Sequence, residues 1–374
     1  MKLSDFQLYC LILILVAPVA YLETPHTLIH ILYANAWLAV IAALFPGLLL
    51  VGMYAAIIRK SSVPFPLMLE EHLGKVPGMI ISVLYIPCFI LVCSYTLRLF
   101  IEFMKMIVFP ATPISVFIGV LLFVCLVAIK TGLENIARVM EMITFVGVTF
   151  SIFILIIAMM NGFHPERLLP IGFMNYAAFT KATLTTTVIL GKMMPVLTLA
   201  FLVKDKTRSL PILRMALFTF IPLISLTTMG VVMTRGILPS MSRVFPVFAM
   251  IRLARIGAFI QNLDIFFIAI WILGIFGSIV IPWFMACYTT QTVFDLKDYR
   301  FVAAPSVMII GVLSILIGRN NLEVVIWSQR IIPAVYTFFF IGIPLVVYIV
   351  TLFKAVPADT RSGSARPEEL RESA

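Results

Sequence analysis

Apolar residues run in long unbroken stretches at about 6–22, 36–58, 78–101, 113–129, 139–160, 184–203, 211–233, 264–290, 301–317 and 334–353, separated by charge, proline or glycine. Each is close to the roughly 20 residues an α-helix needs to cross a hydrocarbon core about 30 Å thick. The stretches are continuously apolar and do not alternate with period two, which excludes a closed β-barrel. The pattern predicts an all-α membrane protein of ten transmembrane helices, forming a single domain over residues 1–354. Residues 355–374, with Pro357, Pro367, several serines and mixed charge, lack the apolar content of a core and are expected to be a disordered cytoplasmic tail.

Composition strengthens this. Of 374 residues, 62% are hydrophobic and 12% charged, against about half and a quarter in soluble chains, so a water-soluble enzyme is excluded. The 27 Lys and Arg exceed the 17 Asp and Glu to give +10. In a soluble protein that excess would suggest nucleic acid; here it reflects cationic residues collecting in cytoplasmic loops, and no nucleic-acid partner is implied. With the N-terminus in the cytoplasm, the cytoplasmic connections carry 16 Lys and Arg and the opposite side 10, with Lys192 inside the membrane. Both termini are therefore expected inside. Lys2 and Asp5 precede the first stretch without a cleavage pattern, so it reads as a retained span. The five cysteines lie in apolar runs without a CxxC pair, indicating neither disulfides nor zinc.

Prolines and polar residues inside the spans locate a candidate site. The first span holds Pro18, followed by Pro25, and the sixth holds Gly191-Lys192-Met193-Met194-Pro195. A proline removes a helical hydrogen bond and clashes with the preceding turn. Broken helices at matching positions of two inverted five-helix halves, about 1–162 and 180–354, would mark a binding site at the membrane midplane; kinks that serve packing are the plainer alternative. Lys192 carries most information, because an ammonium near the bilayer centre costs about 2.5–3.5 kcal/mol and usually marks a site. It can receive a substrate carboxylate, pair with Glu23 at the end of helix one, or snorkel to an interface. Arg98 and Glu102 stand four apart on one face of the third helix, with Lys105 beyond. Glu134, Arg138 and Glu141 form a similar set at the cytoplasmic entrance of the fifth, as salt bridges or a gate.

Other features are weighed more plainly. His26 and His30 have i, i+4 spacing but no third ligand at convincing spacing, so no metal is assigned. Arg235, Arg243, Arg252 and Arg255 lie in a connection expected to hold a short amphipathic helix near 245–256, its basic face toward lipid headgroups or a partner subunit. Thr183, Thr185, Thr186, Thr187, Ser225, Thr227 and Thr228 read as packing hydroxyls. No P-loop, HExxH, GxSxG or dinucleotide fingerprint occurs in the required context, so neither catalytic residues nor a cofactor is assigned and an enzyme is not indicated.

Several stretches resemble a known family in order and spacing. They are Asn35-Ala36-Trp37, the run Tyr95-Thr96-Leu97-Arg98 with Glu102-Phe103 ahead of Thr112-Pro113, and Gly132-Leu133-Glu134 with Arg138. More specific is the segment from Phe245-Pro246-Val247-Phe248 through Ile256-Gly257-Ala258-Phe259-Ile260-Gln261 to Asp264, followed by Trp271-Ile272-Leu273-Gly274-Ile275-Phe276. Over nearly its whole length the chain is similar to the spore germination permeases, the GerAB-type B subunits of nutrient germinant receptors, within the amino acid/polyamine/organocation (APC) transporter superfamily. The resemblance implies a LeuT-like 5+5 inverted repeat with a pocket where broken helices one and six face helices three and eight. It also implies one subunit of a receptor in the spore inner membrane that binds a nutrient, often an amino acid, and assembles with other receptor subunits. On this pattern the ligand-binding positions are Pro18, Val19, Ala20, Glu23, Arg98, Gly191, Lys192 and Met193, and Glu102, Glu134, Arg138 and Glu141 are gate or structural ion pairs. Two positions depart from the family. Pro18-Val19-Ala20 replaces a glycine-containing stretch, and Met193 stands where an acidic residue is common. A proton- or sodium-coupled permease and a scaffold with a degenerate pocket are the alternative readings.

Overall fold

Among the described residues, eight helical runs are long and apolar enough to cross a membrane, and Arg300–Leu316 is a shorter apolar helix. The computed structural model describes residues 3–255, 262–318 and 321–353; the expected tail, and Ile256–Gln261 of the family segment, lie outside the described residues. The first run, Asp5–Lys60, has 56 residues. At 1.5 Å per residue it would extend about 84 Å, far beyond one bilayer core, and the chain turns within it. Helix α1 (Asp5–Leu32) ends at Tyr33, with φ 53°, and α2 follows as Ala36–Ala42 continuing into Leu44–Lys60. Next come α3 (Lys75–Phe103), α4 (Ile114–Thr131), α5 (Leu133–Asn161), α6 (Tyr176–Leu202), α7 (Ser209–Arg235), α8 (Leu263–Phe294), α9 (Arg300–Leu316) and α10 (Glu323–Phe353). Helices α6 and α10 start earlier than the apolar pattern predicts, because Lys181, Gln329 and Arg330 interrupt the hydrophobic run without interrupting the helix.

α1 and α3 form the centre, α1 packed on α7, α8 and α5, and α3 on α8 and α9. α1 is apolar on nearly every side, as a buried helix must be. The break expected at Pro18-Val19-Ala20 is absent: α1 continues as α-helix through both Pro18 and Pro25. A neighbouring helix supplies what the proline withholds. Pro18 has no N–H for the Ile14 carbonyl four residues earlier, and the Ser278 hydroxyl donates to that carbonyl at 2.7 Å. One turn on, the Trp271 indole donates to the Pro18 carbonyl at 2.9 Å. Glycines allow this approach. A Cβ at Gly277 would lie 2.3 Å from Ile14 Cγ2, and one at Gly274 would lie 2.8 Å from Pro18 Cγ.

The end that carries the N-terminus is closed by polar contacts. Leu3 pairs with Val203 in a single parallel bridge, and Asp5 meets Arg208 at 3.1 Å. The Gln7 amide donates to Glu141 at 3.4 Å, and Lys206 Nζ donates to the Ser61 carbonyl at 2.7 Å. Lys60 Nζ reaches the Thr351 carbonyl at 2.8 Å.

Candidate functional site

At the interruption expected in the sixth span the chain stays helical but changes from α to 3₁₀ turns. α6 is α-helical to Leu190, passes through 3₁₀ turns at Gly191–Met193 and Ala200–Leu202, and has Pro195 between them. Pro195 withholds the N–H that would reach the Gly191 carbonyl, so that oxygen takes a 3₁₀ bond from Met194 at 2.9 Å and a second contact, at 3.2 Å, from the Tyr54 hydroxyl. The same hydroxyl lies 2.5 Å from the Phe340 carbonyl, whose α-helical donor would be Pro344. Tyr85 donates to the neighbouring carbonyl of Phe339. Around these acceptors α10 adopts π-helical turns at Trp327–Ile331 and Tyr336–Gly342, a distortion often found at functional positions. Gly191 lets the two helices touch, since a Cβ there would lie 3.2 Å from Ile341 and 3.4 Å from Phe340.

Lys192 projects from this interruption into the bundle. It is 2% exposed, which removes the snorkelling alternative. Its Nζ has no hydrogen-bond partner among the described residues and lies 5.9 Å from the centre of the Tyr336 ring. The Glu23 carboxylate acts on it electrostatically and is itself held in place: Oε1 accepts from Tyr95 at 2.6 Å and from Ser328 at 3.0 Å. Helices α1, α3, α6 and α10 thus converge on a buried cation with unused donors and a carboxylate fixed by two hydroxyls. An ammonium so enclosed needs an anion, and the pair offers opposite charges to a small bipolar molecule.

The remaining predicted positions fall into three places. Val19, Ala20 and Met193 are packed in the core, while Pro18 is half-buried against a different cavity. Arg98 and Glu102 are buried and pair with each other along α3, leaving Arg98 Nε without a partner among the described residues. Glu102 and Glu23 line one cavity of about 50 Å³, with His26, Phe245 and Ser328 also on its wall. Glu134 and Arg138 pair at 2.5 Å on the exposed face of α5, and Glu141 joins the Gln7 contact, so all three lie away from the Lys192 cluster. The rings of His26 and His30 are 4.4 Å apart, and no group of three or more metal-binding side chains occurs among the described residues.

The amphipathic helix expected near 245–256 is corrected. Only Pro246–Ile251 is helical there, and most of it is buried. Arg252 faces Asp264 at 3.5 Å and the Phe248 ring at 5.0 Å. Phe245 and Phe248 turn inward because Phe103 meets both at 5.3 Å and Trp271 at 4.3 Å. Three of the family stretches therefore meet in one aromatic cluster. A fourth has its own role: the Asn35 side chain accepts from the Gly172 amide at 3.0 Å and donates to the Pro170 and Phe173 carbonyls at 3.1 and 3.3 Å.

Sequence reasoning missed Tyr95, Ser328, Tyr336 and Tyr54. Tyr95 had a signal, standing one turn before Arg98 in the run Tyr95-Thr96-Leu97-Arg98. Ser328 had none, because it precedes the apolar stretch of the tenth span.

Known proteins agree with this architecture. The chain is 24% identical over 361 residues to spore germination protein KB of Bacillus subtilis (strain 168), covering 94% of this chain and 95% of that one. Its fold is similar to that of a substrate-bound, outward-open Na⁺-coupled sialic acid symporter, with TM-score 0.63 and 9% identity, covering 91% of this chain and 79% of that one. It is equally similar to a nucleobase-cation-symport-1 family transporter in a closed conformation with bromovinylhydantoin bound, with TM-score 0.62 and 11% identity, covering 93% and 78%. These two likenesses establish the fold alone. A family model described as spore germination protein matches residues 2–322, and the chain accordingly belongs to the spore germination permease family, with a fold similar to that of these two transporters.

Proposed function

We propose that this chain is a membrane subunit of a nutrient germinant receptor in the spore inner membrane, and that a small nutrient such as an amino acid binds between Lys192 and Glu23 to trigger germination. It crosses the membrane ten times in two inverted five-helix halves with both termini in the cytoplasm. The observation that carries this reading is Lys192, a buried ammonium at a helix interruption with unused donors and a fixed carboxylate in its electrostatic reach. An amino acid would give its carboxylate to Lys192 and its ammonium to Glu23. The cavity bounded by Glu23 and Glu102 reaches the Glu23 side of that place, and Glu102 on its wall is the partner of Arg98. Gly191 and Met193 flank Lys192 in the same 3₁₀ turn and would border the ligand. Binding biases the bundle only through different affinities for its two states, which the other receptor subunits then detect.

Saturable binding of nutrients to purified protein in nanodiscs tests this. Losing one hydrogen bond to a charged group costs about 1.5–3 kcal/mol, so Lys192→Met should weaken binding roughly 10- to 150-fold. Unchanged affinity would remove the site. The permease reading draws support from the buried acid–base pair, which has the chemistry to couple solute to a proton. It predicts solute uptake by the purified chain in proteoliposomes, whereas the receptor reading predicts binding without uptake and co-purification of partner subunits.

A further inference from the structure

A second cavity, of about 60 Å³, lies between α1, α5 and α8, on the other side of α1 from Glu23. Its wall on α1 is a helical stripe that includes Ala17, Pro18 and Tyr21. Gly147 and Val148 of α5 and Ile270, Trp271 and Gly274 of α8 face that stripe. The cavity is open on one side, where Ala17, Gly147, Val148, Ser151 and Ile270 are only half-buried. Its rims are lipid-facing surface: Phe145 and Val146 are exposed on α5, and Ile265, Phe266 and Leu273 on α8. A mouth between such rims opens to hydrocarbon, where water does not compete for an apolar wall.

We infer that this cavity is a lipid-chain site: the end of a bilayer acyl chain enters between α5 and α8 and packs against Pro18. Three observations fix the class of occupant. The lining is overwhelmingly aliphatic and aromatic, with no charged side chain. An enclosed apolar cavity of about 150 Å³ takes a compact molecule such as benzene, whereas this one is smaller and open, which suits the tip of a chain whose remainder stays in the bilayer. The lining residues also lie near the middle of α1 and α5, at the depth where chain ends reside. The site touches the point where the Trp271 indole holds the Pro18 carbonyl. A chain tip seated there presses on α1 five residues from Glu23, so the lipid would bias the same helix that bears the carboxylate of the proposed nutrient site. The lipid site itself stands without that reading.

Trp271 reports on the cavity directly. In vesicles of dibrominated phosphatidylcholine its fluorescence should be quenched, measured as the difference between wild type and Trp271→Phe. Gly147 gives a plug, because a Cβ there meets only Ile270 Cγ2, at 3.7 Å, so a side chain enters the space without a clash. Gly147→Leu should reduce the Trp271 quenching to the level of Trp271→Phe. Gly119→Leu, whose Cβ has nothing within 4 Å and lies on α4 away from the cavity, should leave it intact. Ser151→Leu at the mouth repeats the test should Gly147→Leu fail to insert. Quenching that is absent in wild type, that survives both plugs, or that Gly119→Leu removes equally, would overturn the site. Nutrient binding measured in the same vesicles separates this result from failure of the Lys192 site.

Discussion

Tyr54 offers a test of how the bundle holds its irregular helices together. The side chain is fully buried, and its hydroxyl lies 2.5 Å from the Phe340 carbonyl and 3.2 Å from that of Gly191. Four residues beyond each acceptor stands a proline, Pro344 and Pro195, so neither carbonyl has an α-helical donor. Gly191 keeps its bond from Met194, and the loss on Tyr54→Phe falls mainly on Phe340. An unsatisfied buried acceptor costs about 1–3 kcal/mol, whereas hydrogen bonds between membrane helices average about 0.6 kcal/mol because the unfolded chain also finds partners. A value of about 1–2 kcal/mol lies between these limits, and at roughly 2–4 °C per kcal/mol it lowers the unfolding midpoint by about 2–8 °C. The assay is thermal unfolding of the purified protein beside Tyr33→Phe, a 55% exposed tyrosine whose loss should cost under about 0.5 kcal/mol. Pro344→Ala restores an amide four residues after Phe340, and in that background Tyr54→Phe should cost less. A Tyr54→Phe midpoint equal to that of Tyr33→Phe, or the same penalty in both backgrounds, would refute the reasoning.

Other residues give further tests. Glu23→Ala removes the opposite charge that acts on buried Lys192 and should lower the unfolding midpoint; Glu23→Ala with Lys192→Met should recover part of the loss in the same unfolding assay. Gly277→Ala sets a Cβ 2.3 Å from Ile14 and 2.5 Å from Met140 Sδ, an overpacking worth about 1–3 kcal/mol, while Gly119→Ala, with open space around it, should be neutral. Asn35→Ala removes three hydrogen bonds to residues 170–173 and should speed proteolysis of the α5–α6 connection with little change in the global midpoint.

The membrane class and the positions of the helices were legible because a continuous apolar run of about 20 residues has few other uses. Helix boundaries were less so. The outer turns of α6 and α10 carry Lys181, Gln329 and Arg330, and polarity marks the edge of hydrocarbon without ending a helix. That is why Ser328, which holds Glu23, lay beyond the predicted span. Lys192 was legible from its cost alone. Its surroundings were not, since Tyr95, Tyr336 and Tyr54 carry no charge and look like ordinary aromatic filler in an apolar helix. The α1 break was overpredicted for a related reason. A proline predicts a missing hydrogen bond, but whether the helix opens depends on a donor elsewhere in the chain, here Ser278, some 260 residues away.

The same accounting links α1 and α6, which respond differently to the same deletion. At Pro18 the helix stays continuous, with a single serine donor and two close glycines beside it. At Pro195 the chain has Gly191 and Lys192 in the preceding turn and relaxes into 3₁₀ bonds, with Tyr54 as an outside donor. A hydrogen bond supplied by another helix holds only while the two helices stay together, so the integrity of these two turns is tied to the contact of α1 with α8 and of α6 with α2. Ser278→Ala tests the first. With Pro18 present it strands the Ile14 carbonyl, and the penalty should be about 1 kcal/mol or more. In a Pro18→Ala background α1 supplies its own amide, and the penalty should shrink by most of that amount. Equal penalties in the two backgrounds would mean that Ser278 merely fills space between α1 and α8. A penalty confined to the proline background would mean that the continuity of α1 at Pro18, and with it the position of Glu23, depends on α8.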